Sequence, residues 1–337
     1  MDPERTIDPF PRDGEPRPTA APGRRPSSFF AKDRPWLNIV LFVLTVFSLF
    51  FVGISWSASY KYAEEFGRNP NFETGPGVFR DPQVLGLSLI YALVLIVILL
   101  GHEMGHYLTC RRYGLSATLP FFIPAPTLIG TMGAFIRIRS PISGKKQLFD
   151  IGAAGPLMSF ILSLPALAVG VALSKVVPAL PRESSILFGE PLLLKIFGAI
   201  FLRPAGPHYD IVLHPVGFAG WVGLLVTALN LFPVGQLDGG HVSYAVFGGK
   251  SRVVGRLFLA VFVVLGIFYW AGWFIWALLI LLLGMKHPTT WDEAAPIGLK
   301  RRILGGILVV IFILSFIPDP IQGYNGLDLI RQIWPFR

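Results

Sequence analysis

From Val84 to Gly101 the chain carries no charged residue, and the run then closes on His102-Glu103-Met104-Gly105-His106. An uncharged stretch of this length reads as a helix that crosses a membrane. Ionisable groups at its end are costly in an apolar medium, and such groups mark a functional site by default. The spacing narrows the reading. His102 and His106 stand four residues apart, so a helix stacks their imidazoles on one face, where both can bind one metal ion. Glu103 is next door, placed to carry a proton rather than to hold the metal. The bland alternative is a histidine pair satisfied by polar neighbours in a helix bundle.

The rest of the chain suits the same medium. It is 53% hydrophobic and 15% charged, against about 25% charged in soluble domains. Apolar runs predict spans near 38–56, 84–109, 151–174, 216–234, 253–269, 271–285 and 303–317. The expected class is an all-α polytopic membrane protein of six to seven transmembrane helices. From Leu257 to Met285 there is no charge, so this stretch is either one long helix or a hairpin turning near Tyr269–Trp273. The hairpin puts twenty Lys/Arg on the inner side and nine outside, whereas a single helix gives eighteen and eleven. The positive-inside rule therefore favours the hairpin, with a cytoplasmic amino terminus. Residues 1–36 hold eight prolines and read as a disordered arm rather than a secretory signal. Ile186–Leu202 is apolar but interrupted, which predicts an interfacial or re-entrant segment. No basic stripe with interleaved aromatics points to nucleic acid, and the single Cys110 forbids an internal disulfide.

Two histidines leave a catalytic zinc site one protein ligand short. The acids and histidines near predicted span ends are Asp150, His208, Asp210, His214, Asp238, His241 and His287. Asp238 is favoured. It follows the apolar helix Trp221–Phe232, and Pro233, Gly235, Gly239 and Gly240 let the chain bend a carboxylate back into the bundle. In the seven-span topology it reaches the depth of His102 and His106. His241 could serve instead, and Cys110 is either a further ligand or a small core residue. Gly152, Gly155 and Pro156 predict close packing or local helix irregularity beside the site.

Together, His102-Glu103-x-x-His106 in one span and Asn230-x-x-Pro233-x-x-x-x-Asp238-Gly239 in a later one resemble the site-2 protease family of intramembrane zinc metalloproteases. The resemblance covers a core of roughly 84–245 and is nearest to compact bacterial and chloroplast-type members without a PDZ domain. It implies that His102, His106 and Asp238 hold one Zn2+ per chain, that Glu103 is the catalytic acid/base, and that Asn230 helps to position substrate. Capping of its own helix is an equally open role for Asn230. The implied home is a membrane, expected to be the bacterial cytoplasmic membrane. The domain reading is an arm (1–36), an intramembrane domain (37–317) and a tail (318–337) whose packing on the outer surface is open.

The implied substrates are transmembrane segments of membrane-anchored proteins, cut within the lipid bilayer. A helical peptide bond is shielded by its own turn, so the substrate must unwind first. Ala134–Arg139 has strand character after Gly130 and Gly133. Ile136 and Ile138 on a free strand edge could pair with the extended substrate, or the segment could be a plain hairpin on the cytoplasmic surface. Two other functions compete: an inactive scaffold or chaperone of the same fold, and a metal transporter. The transporter needs polar groups along a path, and spans one, five, six and seven offer almost none. Oligomeric state has no signature in the sequence.

Overall fold

The computed structural model of the chain describes residues 35–69, 72–178, 186–202, 206, 209–283 and 296–328. His208, His287, Trp334, Phe336 and the arm up to Arg34 lie outside the described residues. In chain order the helices are α1 (Pro35–Lys61), α2 (Ala63–Arg68), α3 (Pro82–Arg112), α4 (Lys145–Ala172), α5 (Leu192–Phe201), α6 (Pro215–Leu231), α7 (Asp238–Phe247), α8 (Ser251–Phe268), α9 (Gly272–Leu283) and α10 (Leu299–Ser315). Two antiparallel pairs accompany them, β1 (Phe121–Pro124) with β2 (Thr131–Phe135) and β3 (Lys175–Pro178) with β4 (Tyr209–Val212).

This is the mostly helical membrane architecture expected from the uncharged runs. Four stretches are long and apolar enough to cross a membrane: α1, α3, α4 and the run Asp238–Phe268 that contains α7 and α8. The remaining predicted spans are the shorter helices α6, α9 and α10. Helix α6 begins at Pro215 and stops just before Phe232-Pro233, because proline suits a first turn but breaks a continuing one. The chain breaks between α8 and α9 at Tyr269–Ala271, so the uncharged 257–285 stretch is the hairpin and not one helix. Helix α7 is an addition: its residues read as a bend and loop from sequence. The segment expected to be interfacial carries the short helix α5, which packs on α4 and α10.

Local chemistry sets the helix starts. Asp81 caps α3, accepting from the backbone N–H groups of Gln83 and Val84, with Pro82 in the first turn. Lys61, the last residue of α1, pairs with the same carboxylate. The Lys61 ammonium and these cap bonds hold the Asp81 carboxyl well below the usual range, at about 2. One carboxylate thus ties the end of α1 to the start of α3.

Helices α4 and α6 run antiparallel along a seam of small residues. A side chain on Gly217 would meet the backbone of Gly170, one on Gly220 would meet Leu167, and one on Gly223 would meet the Ser163 hydroxyl. Close backbone approach of this kind replaces the hydrophobic drive that lipid removes. The next step along the seam brings Thr227 against Ser159.

The β1–β2 hairpin follows α3, but the strand begins earlier than the expected Ala134–Arg139. Pairing runs through Thr131–Phe135 and continues to a single bridge between Ala117 and Ile138. The hairpin is not free-standing. It runs along α1, and side chains of α1 and α3 donate to its carbonyls. Asn38 donates to Leu119 and Pro120, Ser48 to Ala125, Trp56 to Leu128, and Tyr91 to Ile129. Asn38 to Trp56 is about 27 Å of helix, so the hairpin follows α1 over a length that could cross a membrane. Non-helical backbone survives there only when its polar groups find partners within the protein. Replacing Asn38 by the near-isosteric Leu leaves two carbonyls without their donor. We expect a loss of about 1–2 kcal/mol in unfolding free energy, measured in detergent. Unchanged stability would mean that the hairpin does not rest on this amide.

Candidate metal centre

Helix α3 carries His102, Glu103 and His106 near its last turns, all buried. Helix α7 opens with Asp238. The turn between α6 and α7 is tight. Gly235 has a φ of 57°, in the left-handed region that favours glycine, and a side chain at Gly239 would strike the Leu231 carbonyl. This bend swings Asp238 back against α3. His102 Nε2 and His106 Nε2 each lie 3.2 Å from Asp238 Oδ2, and they lie 3.2 Å from each other. The three atoms form an equilateral triangle.

That triangle suits a metal ion. In a tetrahedral centre with zinc–ligand distances of about 2.0–2.1 Å, ligand atoms stand about 3.3–3.4 Å apart, so the triangle approximates one face of the tetrahedron. Its fourth corner would be left for water or substrate. The donor chemistry agrees. Nδ1 of His106 lies 2.8 Å from the Ile151 carbonyl, which can only accept. A neutral His106 therefore carries its proton on Nδ1 and turns a bare Nε2 lone pair to the centre. Lone pairs from two imidazoles and a carboxylate, converging in a largely dry site, repel one another unless a cation lies between them.

The surroundings hold this geometry. Gly155 of α4 sits flat against the His106 ring, where a Cβ would collide with it. Gly152 packs against His241 and the Asp238 backbone. Both glycines thus serve the close packing expected of them. Asp150, next to Ile151, is gripped by Arg301 of α10 through two bonds of 2.7 Å, and Tyr113 donates to the same carboxylate. Glu103 lies beside the triangle and close to the backbone N–H of Ile136. This contact joins the hairpin to the predicted proton carrier, and nothing in the sequence signals it.

The other candidates fall elsewhere. His241, Asp150, Asp210 and His214 are outside the converging group. His214 caps α6, accepting from Val216 N–H, and burial lowers its pKa. Cys110 is buried among Leu115, Ile151 and Ile138 as a small core residue. Asn230 is half-buried in the last turn of α6, and its side chain makes no hydrogen bond among the described residues, which leaves the capping role without support. Sequence reasoning missed Ile151, Ser159, Thr227 and Arg301. Only Ser159 and Thr227 left a trace, as hydroxyls within apolar helices.

Two imidazoles and a carboxylate from separate helices, meeting beside a second carboxylate in an apolar bundle, define a metal centre embedded in an integral membrane protein. Residues 90–269 match peptidase family M50, and the chain belongs to this family of site-2 proteases. It is 31% identical over 305 residues to "Probable zinc metalloprotease EGY1, chloroplastic" of Arabidopsis thaliana, covering 87% of this chain and 55% of that protein. The rice protein of the same name (Oryza sativa subsp. japonica) is 34% identical over 312 residues, covering 88% of this chain and 53% of its own. "Probable zinc metalloprotease EGY2, chloroplastic" of Arabidopsis thaliana is 30% identical over 251 residues, covering 72% and 44%. The chain thus spans about half the length of the relatives it matches. These relatives are chloroplast proteins, so the expected bacterial membrane gains no support from them. No solved structure matches the chain.

The Gly155 contact gives a direct check. Gly155→Ala places a methyl group where the His106 ring stands. Metal affinity should fall at least as far as the roughly 10–100-fold typical of lost outer-shell partners. Zinc retained after dialysis against a chelator measures it; wild-type retention would mean that His106 does not occupy this position when metal is bound.

Proposed function

We propose that this protein is an intramembrane zinc metalloendopeptidase that cleaves transmembrane segments of membrane-anchored proteins. The observation that carries the proposal is the triangle of His102, His106 and Asp238 with Glu103 beside it. His102, His106 and Asp238 would hold a single zinc ion. Zinc bound there would supply a Lewis acid that acidifies water and polarises a peptide carbonyl.

The chain's own residues do the rest. Glu103 takes the proton from the attacking water and returns it to the leaving amine. The Ile136 N–H stands close enough to Glu103 to steady its carboxylate during the transfer. Asn230, whose amide has no partner among the described residues, can donate to a substrate carbonyl or a developing oxyanion.

The hairpin supports an account of substrate binding. Residues 116–118 pair with 137–139: Thr118 N–H donates to Arg137 O at 3.0 Å and Arg139 N–H to Ser116 O at 2.8 Å. Backbone groups alternate along a strand, so those of Ile136 and Ile138 point to the opposite edge, the edge on which Glu103 lies. An unwound substrate paired there would pass the centre in extended form. The excess of Lys/Arg in the segments flanking the site end of the bundle favours the cytoplasmic or stromal side for that end and for the amino terminus.

Two experiments test this reading. Wild type and Glu103→Ala should both hold one zinc per chain, and cleavage of model transmembrane substrates should fall by about 10²–10⁴-fold in the variant. A zinc-loaded wild type that cuts nothing would favour an inactive scaffold. For the strand edge, Ile138→Pro is cleaner than Ile136→Pro, which would also delete the N–H beside Glu103. With normal zinc content, Ile138→Pro should lose about tenfold or more in kcat/KM, in line with at least one lost backbone bond. Full cleavage by that variant would count against edge pairing.

A further inference from the structure

The two histidines are oriented by different kinds of acceptor. Behind His106 stands a backbone carbonyl. Behind His102 stand two hydroxyls. His102 Nδ1 lies 3.2 Å from Ser159 Oγ, which lies 2.8 Å from Thr227 Oγ1. Thr227 in turn donates to the Gly223 carbonyl at 2.7 Å, and Ser159 has the Pro156 carbonyl at 3.2 Å as a second outlet. Both side chains are completely buried.

Each hydroxyl has one proton to donate, and the Gly223 carbonyl can only accept. The 2.7 Å bond from Thr227 to the Gly223 carbonyl picks one direction. His102 Nδ1–H donates to Ser159, Ser159 to Thr227, and Thr227 to Gly223. This direction leaves His102 Nε2 bare and facing His106 and Asp238. The reverse direction puts the proton on Nε2, where it blocks a metal, and takes the Thr227 proton away from Gly223.

We propose that Ser159 and Thr227 form a hydroxyl relay that locks His102 in its metal-binding tautomer and so sets the metal affinity of the centre. The proposal rests on the reading of His102 as a metal ligand. Ser159 meets His102 at Nδ1, not at the Nε2 of the triangle, and Thr227 acts through Ser159, so both are positioning residues. Their placement is specific to the α4–α6 seam: glycine and other small groups occupy the contacts above, and paired hydroxyls appear only at the level of His102. The same contact, between residues 68 apart in sequence, makes the tautomer depend on the register of α4 and α6.

The test uses the full chain in detergent. Zinc affinity is measured by competition with a chelator, and the Co2+-substituted protein supplies a ligand-field spectrum. Ser159→Ala leaves a buried Nδ1–H without an acceptor and should weaken zinc roughly 10–100-fold, with altered cobalt bands. Thr227→Val keeps the volume but removes the second hydroxyl. Ser159 then falls back on the Pro156 carbonyl, so the loss should be smaller than for Ser159→Ala. Thr227→Ser restores the hydroxyl and should bind zinc as the wild type does. Thr227→Val and Thr227→Ser should unfold alike without metal, which separates affinity from folding even if Ser159→Ala does not fold. Wild-type affinity in Ser159→Ala, or equal losses in Thr227→Val and Thr227→Ser, overturns the relay. If the wild type binds no zinc, or His102→Ala binds it as tightly, the ligand reading itself fails and the relay falls with it.

Discussion

Everything in this fold answers to one demand: three lone-pair atoms must meet 3.2 Å apart where little water can soften an error. Two come from a single helix and are set by its pitch. The third arrives from a helix that starts 132 residues after His106, so its position depends on packing. The bundle meets the demand with backbone-to-backbone contact. Gly170 against Gly217 and Gly220 against Leu167 leave no flexible side chain to absorb slack between α4 and α6. Helix α4 then touches both halves of the centre, with Gly155 against His106 and Gly152 against the Asp238 backbone. A stiff seam therefore aligns α3 and α7 on a common reference.

The same scarcity of water governs the hairpin. A short strand pair beside an apolar bundle carries carbonyls that need partners within the protein. Four side chains from α1 and α3 meet five of them, and the Ile136 N–H lies near Glu103. Asn38, Ser48 and Trp56 lie along one side of α1, which explains why a helix with so weak an apolar asymmetry still has a preferred face. Placing irregular backbone beside the centre is costly, and it is also the only way to bring an unsaturated strand edge near the ligands. A helix-only bundle has no free backbone groups with which to hold an unwound peptide.

What could be read in the sequence follows from how local each feature is. His102 and His106 are legible because helical pitch alone brings them together. Asp238 is legible because Pro233, Gly235, Gly239 and Gly240 announce a turn. The helix that begins at Asp238 is not, because two glycines argue against a helix, and their real cause is the approach of the Leu231 and Gly235 carbonyls. The strand near Ile136 is legible as alternation, but its pairing starts at Thr131 because Gly130, at φ 95°, turns the chain there. The Ile151 carbonyl leaves no trace, since every residue has one. Ser159 and Thr227 are visible as hydroxyls in apolar runs, yet their pairing requires the seam's register.

The helices beyond the family match are bound to the centre by the same logic. Arg301 of α10 grips Asp150, and the next residue, Ile151, supplies the acceptor for His106. The clamp holds the first turns of α4 in place at the point where that carbonyl must meet the ring. At the opposite end, the segment after α10 pairs with the approach to α5. Gly189 N–H donates to Pro320 O and Gln322 N–H to Leu187 O. Two indoles fasten this strap, Trp221 of α6 to the Gly189 carbonyl and Trp273 of α9 to the Pro318 carbonyl. Helix α10 is therefore pinned at both ends, once to the helix that orients His106 and once to the helix that leads to Asp238. A helix held at two such points restrains the distance between the two halves of the centre, which makes the carboxyl-terminal third part of the metal site's scaffold.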